Sequence, residues 1–331
     1  MYSKLRLIFD NFTLILITVV IMATALPAKG DGATIFEWIT TFAIALLFFM
    51  HGAKLSRQAI IEGIMHWRLH LLVFLFTFAA FPLIGLVIKP IILPLLGLPL
   101  TIGMLYLCAL PGTVQSAIAF TSIAKGNVPA AVCSASASSL IGIVITPLLL
   151  SFLLEETNIG TKGMAQAIVD ISLKLLLPFI IGHLSRPWTA HFIIRNSSWL
   201  KNVDQGSILL VVYTAFSASV VGGLWQAVPP VALCLLFLVC LVLLVFVLWL
   251  SKFLAQSLGF NHQDEITIVF CASKKSLATG VPMAQVLFGS AMLGPALLPI
   301  MIFHQLQLMA CSILANQYAK KATAEKTPAV A

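Results

Sequence analysis

Residues 270–280 read FCASKKSLATG and place two consecutive lysines inside an otherwise apolar segment running from Ile266 to Phe288. An ionised lysine deep in a bilayer is costly unless it meets a partner or a wet cavity. Neighbouring side chains on an unbroken helix point about 100° apart, so Lys274 and Lys275 reach one pocket only if the backbone unwinds there. Unwinding lets an ammonium neutralise helix C-terminal carbonyls or pair with an anion. The alternative is an interhelical crevice in which both lysines are structural. The sequence leaves open which lysine takes the central place.

The rest of the chain is read in bilayer terms because of its composition. Of 331 residues, 60% are hydrophobic and 9% charged, against about a quarter charged in a soluble domain, and the mean hydropathy is +1.06. Apolar stretches of about 20 residues, enough to cross about 30 Å of hydrocarbon, recur ten times: 10–27, 34–54, 67–88, 100–124, 128–154, 164–183, 205–226, 231–255, 266–288 and 291–318. An all-α integral membrane protein with ten transmembrane helices is expected.

The 19 basic residues support that count, since cytoplasmic loops carry excess Lys and Arg. With both termini cytoplasmic, thirteen of them fall inside, three outside (Lys29, Lys89, Lys162) and three at membrane depth (Lys174, Lys274, Lys275). The net charge of +8 then reflects orientation and contact with anionic lipid, and a nucleic-acid partner has no separate support. Residues 1–30 can also be read as a signal peptide, with Lys4 and Arg6 before an apolar run and a cleavage site at "ATA". All six cysteines lie in apolar spans, so no disulfide framework or metal spacing follows.

No connection is long enough to form a soluble domain, and residues 320–331 have almost no bulky apolar side chains, as expected of a disordered cytoplasmic tail. Segment 4 contains LCALPGTVQSAIA (107–119) and segment 9 contains FCASKKSLATG, with Cys108 and Cys271 placed 163 residues apart, close to half the chain. Two five-helix repeats of opposite orientation, residues 1–163 and 164–319, account for this spacing. Each has an interruption near mid-depth: Pro111-Gly112, about 15 Å in from Thr101, and Ser273-Lys274-Lys275-Ser276. Paired breaks point to a binding site, because half-helix ends offer free N–H and C=O groups. A plain proline kink with a polar interhelical contact is the simpler reading.

Polar side chains at similar depth are Thr113, Gln115 and Ser116 in segment 4, Ser134, Ser136, Ser138 and Ser139 in segment 5, and His304, Gln305 and Gln307 in segment 10. Ser134 and Ser138 share a helix face, which either completes an oxygen shell for a small cation or allows close helix packing. His304 is either a packing residue or a proton carrier. Asp170 and Lys174, four apart, are expected to pair on one helix face, and His51 and Lys54 to lie at the cytoplasmic interface. Walker loops, dinucleotide fingerprints, zinc motifs and nucleophile elbows are missing from the sequence. An enzyme is therefore not expected.

The ten spans, LPGTVQSAIAFTSIAKGNVPAAV across segments 4 and 5, and FHQ in segment 10 resemble the bile acid:sodium symporter family. MHGAKLS, FCASKKSLA and DEITIVF are more similar to its divergent branch, which includes sodium/bile acid cotransporter seven and bacterial homologues. The resemblance covers essentially residues 1–320. It implies a core domain (segments 3–5 and 8–10) with segments 4 and 9 crossing, a panel domain (segments 1, 2, 6 and 7), and import of an organic anion with sodium by alternating access. It places sodium ligands at Gln115 and Ser116, at segment 5 hydroxyls, and at a Glu and a Gln in segment 9. This chain has Val269 and Ser273 at those last two positions, with Lys274 next. Without the acidic ligand, sodium coupling does not carry over, and a lysine is expected to take the charge role of the ion. The reading is a secondary transporter of a small organic anion in the bacterial inner membrane, with Pro111, Gly112, Thr113, Gln115, Ser116, Ser273, Lys274, Lys275 and Ser276 at the crossover. Ser134, Ser138, His304 and Gln305 support it, and no cofactor is expected beyond a doubtful sodium ion. The alternative is a membrane regulator of cation homeostasis that does not transport.

Overall fold

A computed structural model of the chain describes residues 11–54, 66–154, 169, 172–288 and 290–324. Among them there is no strand. The helices are Asn11–Ala25 (α1), Asp31–Lys54 (α2), Trp67–Leu75 (α3), Phe81–Ala109 (α4), Gln115–Ile123 (α5), Val128–Leu154 (α6), Leu177–Arg195 (α7), Ser197–Val221 (α8), Leu224–Ala227 (α9), Pro230–Ser257 (α10), His262–Ala272 (α11), Leu277–Leu287 (α12) and Ser290–Ala324 (α13). One π turn, Phe76–Ala80, joins α3 to α4, and another, Ser172–Leu176, leads into α7.

Six helical runs among the described residues are long and apolar enough to cross a membrane. The longest, Trp67–Ala109, has 43 residues and at about 1.5 Å per residue would be about twice the thickness of the hydrocarbon. It turns at Gly97 (φ 75°, ψ 166°), between Pro94 and Pro99. The non-helical gap expected between residues 88 and 100 is thus taken up by helical turns around one glycine that alone tolerates this backbone geometry. By contrast α5, α11 and α12 have 9, 11 and 11 residues, too few to cross alone.

The helices gather into two groups. α2 packs along α7, and α8 packs on α1 and α2, while α3–α6 and α10–α13 pack together around Phe81, Tyr106, Phe270 and Phe303. Trp38, Phe42, Phe152 and Val245 are exposed large apolar side chains, as faces toward lipid are. α2 and α7 touch backbone to backbone: a Cβ added at Gly52 would overlap the Phe179 carbonyl, and one at Gly182 the Phe49 carbonyl.

The start of α11 is pinned to the α5–α6 turn. Asn127 Oδ1 accepts from Ala130 N (3.1 Å), Asn127 Nδ2 donates to Asp264 Oδ1 (2.8 Å), and Asn127 N donates to Thr267 Oγ1 (2.9 Å). Asn127→Ala removes a helix cap and leaves a buried carboxylate oxygen short of a donor. A loss of about 2 kcal/mol is expected, read as a lower melting temperature in detergent.

One boundary differs from expectation, and one expected pair lies partly outside the described residues. α13 runs to Ala324 rather than ending before residue 320, because Ala319–Ala324 (AKKATA) is composed largely of good helix formers. Asp170 lies outside the described residues, as do residues 1–10 and 325–331, so its pairing with the exposed Lys174 does not enter the description. The six cysteines are free thiols.

Candidate functional site: the helix crossover

The two interruptions meet. Between α4 and α5, and between α11 and α12, the chain leaves the helix, and Ser276 N donates to the Pro111 carbonyl at 2.9 Å. Gly112 lies at the contact: a Cβ there would be 3.3 Å from the Cys271 carbonyl oxygen, and Gly112 N donates to Ser138 Oγ at 3.1 Å. Ser276 caps α12 by accepting from Thr279 N. Ser273 Oγ donates back to the Val269 carbonyl at 2.6 Å, as a hydroxyl in the last turn of a helix does.

Unwinding at residues 273–276 sends the two lysines in different directions. Lys275 is 1% exposed. Its Nζ donates to the carbonyls of Thr77 (3.0 Å), Cys108 (2.9 Å) and Leu110 (2.7 Å), using all three N–H bonds, and it stands 4.0 Å from the centre of the Phe81 ring. Thr146 Oγ1 donates to the carbonyl of Ala109 at 2.9 Å. Every carbonyl from Cys108 to Pro111, at the negative end of α4, therefore has a donor. The Phe76–Ala80 π turn loosens the helical ladder where the Thr77 carbonyl meets the ammonium.

Lys274 is 0% exposed. Its Nζ donates to the Ser116 carbonyl at 2.9 Å and lies 4.0 Å from the centre of the Phe120 ring and 5.4 Å from that of Phe270. Two desolvated ring faces help to hold a cation there. Gln307 holds the backbone of Lys275, in the break between α11 and α12, through both its groups: Lys275 N donates to Gln307 Oε1, and Gln307 Nε2 donates to the Lys275 carbonyl, each at 2.9 Å.

The segment 5 hydroxyls have separate partners. Ser134 Oγ pairs with His70 Nδ1 at 2.5 Å, and Ser138 Oγ accepts from Gly112 N. It is Ser139 that faces the cavity described next. One residue of register decides this, since residues one apart on a helix point about 100° apart. Gln305 is half-buried on α13 and does not line that cavity.

A cavity of about 630 Å³ lies between the two helix groups. It opens on the first residues of both α5 and α12: Thr113, Gln115, Ser116, Ser276 and Thr279 line it, with His304 from α13. Thr113 Oγ1 and Ser116 Oγ bond each other at 2.7 Å. On the far wall stands an ion pair, Lys54 Nζ to Asp204 Oδ2 at 2.5 Å, and Gln115 Nε2 reaches the same oxygen at 3.2 Å. Lys54 is thus not merely interfacial. Asp204 has no motif around it, and its place at the edge of a span hides its role in the sequence. A second cavity of about 500 Å³, bordered by Glu37, Thr41, Lys174, Ser217 and Gln285, lies toward the other end of α12. Between the two, Gly280–Ala284 is buried, with Tyr106 Oη donating to the Gly280 carbonyl at 2.6 Å.

An all-helical membrane protein with two interrupted helices crossing beside a cavity has the form of a transporter. The model of the SBF-like CPA transporter family matches residues 10–320, and the chain belongs to that family. It is 55% identical over 322 residues to the putative symporter YfeH of Escherichia coli, covering 96% of this chain and 95% of that one. It is 58% identical over 319 residues to the uncharacterized protein PA2026 of Pseudomonas aeruginosa, covering 96% of both. Sodium/bile acid cotransporter 7-B of Xenopus laevis is 28% identical over 321 residues, covering 93% of this chain and 91% of that one. Family and relatives are those of transporters, not enzymes.

Proposed function

We propose that this protein is a secondary transporter that carries an organic anion by alternating access between the two helix groups. The observation that carries the reading is the cavity of about 630 Å³ at the N-terminal ends of α5 and α12. Half-helix N-termini present free N–H groups and a partial positive charge, which suit an anionic group. The second cavity, beyond the buried middle of α12, supplies the opposite access route. Ten spans in two inverted repeats, residues 1–163 and 164–319, make the crossing of α4–α5 with α11–α12 a symmetric unit. Pro111, Gly112, Thr113, Gln115, Ser116, Ser273 and Ser276 form it, and Ser138 and His304 support it.

In this reading both termini are cytoplasmic in the inner membrane of a bacterium, so the larger cavity, bordered by Phe12, His51 and Lys54, opens to the cytoplasm. Lys275 neutralises the carbonyl ends of the broken helix and ties them to the other break, a role a bound cation could otherwise fill. Lys274 fixes the start of α5. Their positive charges hold the crossover together and do not themselves contact the substrate. The relatives' names, symporter and sodium/bile acid cotransporter, support coupled transport of an anion.

The test is uptake of labelled organic anions by sealed liposomes containing this protein alone. Saturable uptake above that of empty liposomes is expected. No flux for any steroid, aromatic or aliphatic anion would instead favour a regulator that does not transport.

A further inference from the structure

The crossover lysines are committed to carbonyls, yet an organic anion needs a cation. Among the described residues that line the cavity of about 630 Å³, the Lys or Arg side chain available is Lys54. Its partner among the described residues is Asp204, and its side chain is 32% exposed, against 2% for that of Asp204. An ammonium has three N–H donors, so two of them remain for the cavity. Asp204 is the opposite case. Its Oδ2 accepts from both Lys54 and Gln115, whereas its buried Oδ1 has no partner. Thr279 Oγ1, on α12 across the same cavity, is also buried and unpartnered.

We propose, resting on the organic-anion reading above, that Lys54 and Asp204 are an exchange pair: the substrate's anionic group takes Lys54, and the released carboxylate binds a monovalent cation, sodium or a proton, at its open oxygen. Two anionic groups against one ammonium repel strongly where water is scarce. A buried carboxylate stripped of its ammonium is in turn costly unless a new positive charge arrives. Each ligand therefore favours the other, which is the thermodynamic content of symport. Among the described residues, the other titratable side chains lining the cavity beside this pair are His51 on α2, whose Nδ1 is bonded to the Leu47 carbonyl, and His304 on α13, whose Nδ1 is bonded to Gln307 Nε2. From α5 the facing group is the neutral Gln115, and from α1 it is Phe12. Asp204 on α8 also accepts from Gln115 on α5, so the exchange takes place on a direct link between the two helix groups.

The experiment is equilibrium binding of labelled taurocholate, benzoate and succinate to the purified full-length protein, in sodium or potassium chloride, each at mildly acidic and mildly alkaline pH. At least one probe is expected to bind the wild type, about tenfold more tightly when the coupled cation is present. Tightening by sodium at both pH values identifies sodium, and tightening by acid in either salt identifies the proton. Asp204→Asn is expected to bind the same probe regardless of salt and pH. Lys54→Gln is expected to weaken it at least about tenfold, with Lys54→Arg restoring it. Wild-type binding that is equal in all four buffers overturns the exchange pair without recourse to any variant. So does cation dependence that survives Asp204→Asn, or unchanged binding in a folded Lys54→Gln protein; in these cases the anion-transport reading stands. If no probe binds the wild type, the anion reading itself fails and the pair with it.

Discussion

Lys275→Met is expected to lower the melting temperature of the detergent-purified protein by at least about 10 °C, or to prevent its folding altogether. Methionine has a similar length and removes the cost of burying an ammonium, but it donates no hydrogen bond. The carbonyls of Thr77, Cys108 and Leu110 lose their donor together. Each unsatisfied buried group costs about 1–3 kcal/mol, so three together cost about 3–9 kcal/mol. At about 2–4 °C per kcal/mol, the middle of that range gives the stated shift. Lys274→Met removes one hydrogen bond and two ring contacts, and its shift is expected to be less than half as large. Equal shifts for the two variants would contradict the assignment of the central place to Lys275.

Gly182→Leu is expected to abolish a monodisperse folded protein, with Gly52→Val close behind. The α2–α7 contact has no room for a Cβ at either glycine, because the obstacle is a backbone carbonyl and not a side chain that can rotate away. The helices must separate, which costs more than the about 1–3 kcal/mol typical of overpacking among side chains. Gly206→Ala is the control, since nothing lies within 4 Å of its added Cβ; less than about 1 kcal/mol is expected there. Size-exclusion profiles and melting curves read all three variants. A folded Gly182→Leu protein with wild-type stability would show that the two helices do not approach as described.

The break positions were legible in the sequence because they depend on local signals: Pro111-Gly112 and a polar run at residues 273–276 are each exceptional against an apolar background. That Lys274 and Lys275 could not share one helix face was equally legible, since it follows from helical geometry. Where each ammonium goes was not. The partners of Lys275 are main-chain carbonyls of Thr77, Cys108 and Leu110, and a carbonyl has no residue type to betray it. The serine row in segment 5 shows a different limit: Ser134, Ser138 and Ser139 differ in role by rotation about α6, which the sequence does not fix until the neighbouring helices are placed. Asp204 and Lys54, 150 residues apart, meet only through the packing of α8 on α2.

The most direct test of the idea that a lysine replaces the ion at the crossover is the melting temperature of the purified wild type, free of organic anions, in sodium against potassium chloride at matched ionic strength. A ligand that binds only the folded state raises its stability. Equal melting in the two salts is expected, because Lys275 already occupies the carbonyl ends and Asp204 is still paired with Lys54. A sodium-specific rise that Ser138→Ala removes would place a sodium ion at the crossover and contradict the account.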